Sequence, residues 1–303
     1  MKLYRHNCSR IGKFFTGVVG ASYMTVEDRH IFDRRFDKLC DLARDRSVRM
    51  DSVIIGKLRC FWFTPHNAPI DRAVLYLHGG AYIGGRENIG YTASRLASAL
   101  GTRVLAVDYR TAPKDPYPAA QHDALTAYYW LRSQGATEDN ISIVGDSAGG
   151  GLALSLSMLL RENGDRQPSS LVLVSPWTDL TCNGRSYGFA HDPALRRNAL
   201  RLAAKKYAGD FDLFEPYISP LFGSFESLPP TLIIAGTREL LLSDSVELAR
   251  KLNRAGTPGD IHIWNDMFHD FPFIMYFLPE SKRAMGIMKD YISAHMNMRA
   301  DIF

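Results

Sequence analysis

The chain has 303 residues, of which 46% are hydrophobic and 22% charged, and its 36 basic and 32 acidic residues leave a formal charge of only +4. This composition excludes a disordered chain, and charges of both signs interspersed along the sequence leave no basic face for nucleic acid. The four cysteines, Cys8, Cys40, Cys60 and Cys182, show neither C-x-x-C pairing nor zinc spacing and are too sparse for a disulfide scaffold, which points to reduced thiols in a cytoplasmic protein.

In chain order, Lys2, Arg5, Arg10 and Lys13 precede the apolar stretch Phe14 to Ala21, a loose likeness to a secretory signal. Thr16 and two glycines interrupt it and no small-residue cleavage site follows cleanly. No segment reaches the ~20 apolar residues of a transmembrane helix, so no stable membrane insertion is expected. From Phe32 the residues Phe36, Leu39, Cys40 and Ala43 recur at helical spacing between charged residues, which predicts an amphipathic helix. Residues 52–64, β-branched and aromatic and broken at Gly56, predict a hairpin ending at Pro65.

Short apolar runs then alternate with helical patterns. Ala73–Leu77, Val104–Asp108, Ile141–Val144, Leu171–Ser175, Thr231–Ala235 and Ile261–Trp264 suit strands buried on both faces. Helical segments fall near 88–100, 119–134, 148–162, 243–255 and 280–296. Strand–helix alternation predicts an α/β fold with a mostly parallel central sheet covered by helices on both faces. The interval of about fifty residues between Ser175 and Thr231 exceeds what one crossover needs and predicts an inserted lid. Within that lid a helix is expected from about Pro193 to Tyr207, ended by Gly209 and Asp210.

The strand at Ile141–Val144 runs into Gly145-Asp146-Ser147-Ala148-Gly149, a G-x-S-x-G pattern followed by an apolar helical run from Leu152. In this strand–turn–helix setting the serine sits on a sharp turn, with small neighbours that let substrate approach and a helix N-terminus beneath the developing negative charge. A phosphate cradle is the bland alternative, but neither a P-loop Lys-Ser/Thr ending nor G-x-G-x-x-G is present. Ser147 is therefore the predicted nucleophile. The first parallel strand ends in His78-Gly79-Gly80-Ala81-Tyr82, which supplies backbone donors for an oxyanion hole. Gly80 is the firmest donor, Gly79 or Ala81 its partner, and the Ala148 N–H completes the hole. His78 reads as a turn-holding residue rather than a base.

HGGAY at 78–82, DYRTAPKDPYPAAQHDA at 108–124, GDSAGGG at 145–151, SPWTDLT at 175–181 and MFHDF at 267–271 together resemble the bacterial hormone-sensitive-lipase-like esterases, family IV of the bacterial lipolytic enzymes. The resemblance implies an α/β-hydrolase body at 51–180 and 225–303, with a small helical cap made of residues 1–50 and the inserted segment 181–224. This chain departs from the pattern at Lys114-Asp115, where relatives carry a Glu-His pair, so that Asp115 or Asp123 must serve Arg110. It also has Ala81 for the third glycine of HGGG and Asp270 for a glycine after the histidine.

Triad order in this fold is Ser, acid, His. Of the nine histidines, His191 falls in the lid, His262 in a strand and His295 on the last helix, whereas His269 follows a strand and matches the family's M-F-H segment. His269 is the expected general base. Two carboxylates compete as its partner. Glu239 lies in the loop after Thr231–Ala235 and is favoured; Asp244 is the alternative, although it opens the next helix beside Ser243, which reads as an N-cap.

The expected activity is carboxylesterase hydrolysis of small, short-acyl esters through an acyl-enzyme, without metal or organic cofactor, since no H-E-x-x-H or ligand cluster occurs. An amidase, lactonase or deacetylase on the same triad remains the alternative. A ligand-binding protein on a hydrolase scaffold, as in the gibberellin receptors, is the third reading. Those receptors lack the catalytic histidine. Oligomeric state stays open between a monomer and the homodimer common among relatives.

Overall fold

The structure, a computed structural model, describes residues 1–14 and 44–297, and in these the alternating pattern becomes one nine-stranded sheet. The strands are β1 (Lys2–His6), β2 (Arg49–Ile55), β3 (Leu58–Thr64), β4 (Ala73–Leu77), β5 (Arg103–Val107), β6 (Ile141–Asp146), β7 (Ser170–Val174), β8 (Thr231–Gly236) and β9 (Gly259–Trp264). They lie in the order β1-β9-β8-β7-β6-β4-β5-β3-β2. Strands β4 to β9 pair in parallel, and the expected hairpin β2–β3 pairs antiparallel and joins the sheet through β5.

Helices α1 (Ile89–Leu100), α2 (Ala119–Ser133), α3 (Ala148–Glu162), α4 (Ser186–Phe189), α5 (Arg197–Ala208), α6 (Leu242–Arg254), α7 (Phe271–Ile274) and α8 (Pro279–Asn297) follow the strands. All positions of β4, β6, β7 and β8 are buried, because helices cover both faces. Alternate residues of one strand feed separate cores: Leu75, Ile143 and Leu173 pack with α2 and α3, while Val74, Val144 and Val172 pack with α1 and α8. Each such side chain contributes ~1.5–3 kcal/mol on burial, so this double core dominates the stability of the sheet.

Two sequence expectations need revision. Residues 2–6, read as part of a cap, form an edge strand whose register with β9 pairs Lys2 with Asp260 and His6 with Trp264. Rings of His6 and Trp264 stack at 4.2 Å, and His6 Nε2 meets His262 Nδ1 at 2.9 Å, so aromatic packing and a ladder both hold the strand. A strand with four of five positions exposed carries no apolar alternation to reveal it. The second revision concerns Ser243, which lies inside α6 rather than at its N-cap: the helix begins at Leu242, and the Ser243 N–H donates to Ser186 Oγ of the insert. The predicted helix from Phe32 to Ala43, Cys40 and most of the stretch from Phe14 to Ala21 lie outside the described residues.

The insert holds α4 and α5, and Gly209 ends α5 as predicted. It is fastened on two sides. Tyr207 of α5 stacks on Tyr82 of the loop after β4, with centroids 3.8 Å apart, and its carbonyl accepts the Tyr117 N–H at 2.8 Å. On the other side, Asp192 Oδ2 accepts the Leu240 N–H at 2.9 Å, beside Glu239. Both contacts lie next to residues predicted to be catalytic.

Candidate active site

The turn between β6 and α3 places Ser147 at φ +51°, ψ −120°, a left-handed conformation that is costly for a residue with a side chain. Surrounding bonds enforce it: the Ser147 N–H donates to Val174 O at 2.9 Å, and its carbonyl accepts the N–H groups of Gly150, Gly151 and Trp177. The turn also demands close packing against the end of β4. A Cβ on Gly149 would lie 2.0 Å from the Leu77 carbonyl oxygen and 2.6 Å from that of His78, both backbone atoms with little freedom to move. Gly149→Ala is accordingly expected to destabilise the protein by about 3 kcal/mol, toward the upper end of overpacking costs, read as a lowered midpoint in urea unfolding at unchanged slope.

His269 follows β9 and directs Nε2 to Ser147 Oγ at 2.9 Å. Its Nδ1 faces Glu239 Oε2 at 3.7 Å, an ion-pair separation longer than a hydrogen bond. Neither of those two atoms has another hydrogen-bond partner. The other Glu239 oxygen is anchored, accepting from Ser175 Oγ at 2.9 Å and from the Gly236 N–H at 2.5 Å. Glu239 is wholly buried, and burial raises its carboxyl to about 6 against the opposing attraction of His269. For His269 burial acts downward, but the Asp270 carboxylate and then Glu239 outweigh it and hold the imidazole well above its usual value.

The alternative acid stands elsewhere. Asp244 Oδ2 accepts the backbone N–H groups of Thr178 and Asp179 at 3.0 and 2.8 Å and lies 3.4 Å from the Tyr187 hydroxyl. It therefore fastens the segment after β7 to α6, and burial raises its pKa well above the carboxylate range. This is more than the helix-start role read from sequence.

Gly79 requires a correction as an oxyanion donor. Its N–H donates to Asp146 Oδ2 at 3.0 Å, so it is already committed, while Tyr76 donates its hydroxyl to Asp146 Oδ1 at 2.6 Å. Asp146 thereby ties the nucleophile turn to the loop after β4. Ala81 is the other candidate beside Gly80, and among the described residues the N–H groups of Gly80, Ala81 and Ala148 are paired with no acceptor. Ala81 sits at φ +55°, where glycine would be unstrained, at a cost of roughly 1–2 kcal/mol. His78 holds the turn as expected: Nδ1 meets the Gly79 carbonyl at 2.7 Å, the ring stacks on Tyr109 at 4.1 Å, and burial lowers its pKa to about 4. Arg110 finds its substitute partner in Asp123, which takes its Nε and Nη2 at 2.8–3.2 Å and its backbone N–H at 2.8 Å.

Residues that sequence reasoning missed as site members are Ser175 and Asp192. Ser175 lies in the SPWTDLT segment, but only the fold brings its hydroxyl to Glu239. Asp192, in the insert, carries no motif at all. Among the described residues no group of three or more His, Cys, Asp or Glu is placed to hold a metal, and no helix is long and apolar enough to cross a membrane.

Comparison with known proteins agrees with the fold. Residues 74–273 match a family model described as alpha/beta hydrolase fold. An acetyl-hydrolase of Streptomyces hygroscopicus is 38% identical over 240 residues, covering 78% of this chain and 80% of that protein. An esterase of Acinetobacter venetianus is 34% identical over 268 residues, covering 85% and 86%. A solved esterase from the bacterial hormone-sensitive lipase family superposes with a TM-score of 0.88 at 30% identity, covering 96% of this chain and 100% of the other. With the G-x-S-x-G turn in its strand–helix setting, these findings make the chain a carboxylic ester hydrolase that belongs to the alpha/beta hydrolase fold family, among its hormone-sensitive-lipase-like esterases.

Proposed function

We propose that the protein hydrolyses short-acyl carboxylic esters through a Ser147–His269–Glu239 triad and an acyl-enzyme. The observation that carries this reading is the 2.9 Å contact of Ser147 Oγ with His269 Nε2 at the N-terminus of α3, with Glu239 opposite Nδ1. Ser147 attacks the ester carbonyl as its proton passes to Nε2, and Glu239 stabilises the imidazolium from Nδ1. The charge that forms on the carbonyl oxygen meets the N–H groups of Gly80, Ala81 and Ala148 and the positive end of α3. His269 then protonates the departing alkoxide, and water repeats the sequence on the acyl-enzyme. The 3.7 Å between His269 Nδ1 and Glu239 Oε2 is no objection, since catalytic contacts are often long without substrate and tighten in the complex with it.

Short acyl chains are favoured because the insert is held down on both flanks of the site, by the Tyr207–Tyr82 stack and the Asp192–Leu240 bond. The acetyl-hydrolase relative points the same way. Across p-nitrophenyl esters, kcat/KM is expected to peak between about two and eight acyl carbons. A rate still rising at about sixteen carbons would contradict it. A fluorophosphonate probe tests the nucleophile, since it labels only an activated serine.

A further inference from the structure

Asp270, the residue after the proposed base, places its Oδ2 2.9 Å from His269 Nε2, the same nitrogen that meets Ser147 Oγ at 2.9 Å. An imidazole nitrogen holds either one proton or one lone pair. In the tautomer required for catalysis, Nδ1–H points to Glu239 and Nε2 presents its lone pair. A lone pair and an ionised carboxylate repel at this separation, so a proton lies between Nε2 and Oδ2. The carboxylate cannot find it elsewhere: Asp270 is nearly buried, and its Oδ1 has no hydrogen-bond partner.

We infer that Asp270 is a second positioning residue for the base, holding His269 protonated and idle through Nε2 and so setting the pH at which the esterase switches on. The inference rests on His269 being the base, as proposed above. The groups facing His269 come from four places: Asp270 beside it, Glu239 after β8, Asp146 at the end of β6 and Asp192 from the insert. All four are acids, and Asp270 and Glu239 are the two that approach the ring nitrogens. Burial and then Asp270 raise the Asp146 carboxyl, while the Tyr76 hydroxyl, His269 and the Gly79 N–H act against that rise.

The proton accounting gives Asp270 two opposing effects. In the resting pair Nε2–H donates to Oδ2, and Ser147 has no base. Loss of one proton to water as pH rises frees the lone pair, which accepts the Ser147 hydroxyl. During acylation the Ser147 proton arrives on Nε2 as the Oγ–C bond forms and the carbonyl electron pair moves to oxygen. The new Nε2–H again faces Asp270, which stabilises it, until the proton leaves with the alcohol as the C–O bond breaks. Asp270 thus lowers the active fraction below its switching pH and raises the rate above it.

The backbone permits a clean test. Asp270 sits at φ +53°, a conformation that asparagine and glycine also accept, and its N–H bond to Ser175 Oγ survives both changes. The experiment is kcat/KM for p-nitrophenyl acetate against pH in full-length wild type, Asp270→Asn and Asp270→Gly, together with the pH dependence of fluorophosphonate labelling. The acid limb of this profile reports the free-enzyme base. Both variants are expected to shift its midpoint down by about one pH unit or more, as removal of a contacting opposite charge does, and to lower the alkaline plateau several-fold. A role confined to building the turn would change the melting temperature and leave the midpoint in place. Midpoints that coincide with wild type in both variants overturn the inference. His269→Gln, assayed alongside, distinguishes this failure from failure of the triad: if it is inactive while the Asp270 midpoints stay unmoved, this inference alone falls, whereas an active His269→Gln removes the base and the triad with it.

Discussion

Ser147→Ala is expected to lower kcat by roughly 10³ to 10⁶ without changing the fold, because nucleophile and base act as a unit and loss of either removes most of what they do together. The substitution deletes one oxygen at a site where the backbone is held by bonds of Val174, Gly150, Gly151 and Trp177 to the main chain of residue 147, none of which uses the hydroxyl. Alanine still occupies the strained φ of +51°, so melting should shift little. The measurement is initial rate on p-nitrophenyl acetate together with mass-spectrometric detection of a fluorophosphonate adduct. Retention of more than about a tenth of the activity by a clean preparation would remove Ser147 from the mechanism.

Glu239→Gln and Asp244→Ala are expected to fail in opposite ways. At residue 239 the amide keeps the size of the side chain but removes the charge that stabilises protonated His269, and it can present a donor to Nδ1–H; a loss of about 10² to 10⁴ in kcat follows. At residue 244 the loss is structural. The Thr178 and Asp179 N–H groups would be left buried without their acceptor, at about 1–3 kcal/mol for each, so the melting temperature falls while any folded protein keeps its chemistry. Rates at one pH and thermal melts of both variants separate the two carboxylates. A stable, inactive Asp244 variant beside an active Glu239 variant would exchange their roles.

Much of the fold, and the core of the proposed site, could be read before the chain was folded. The buried runs from Ala73 to Trp264 declared a parallel sheet because strands covered on both faces must be apolar throughout, and the observed strands begin and end within two residues of those runs. Ser147 and His269 were legible as candidates for a related reason. Each sits in a local motif whose backbone geometry imposes small or specific neighbours, as Gly149 shows where Leu77 leaves no room for a methyl group.

Between Glu239 and Asp244 the sequence favoured Glu239 without excluding Asp244, since both carboxylates follow the same strand and differ in which pocket the turn delivers them to. Three-dimensional packing decided that Gly79 spends its N–H on Asp146. It decided too that Asp123 rather than Asp115 holds Arg110. The edge strand β1 meets β9 through His6 and His262, 256 positions apart, and the tether from Asp192 in the insert reaches Leu240 across 48. Local periodicity reports which face of an element is buried, whereas these contacts depend on partners far along the chain. A single sequence therefore displays the strands, the candidate nucleophile and the candidate base, and the folded chain alone assigns each remaining carboxylate and amide its partner.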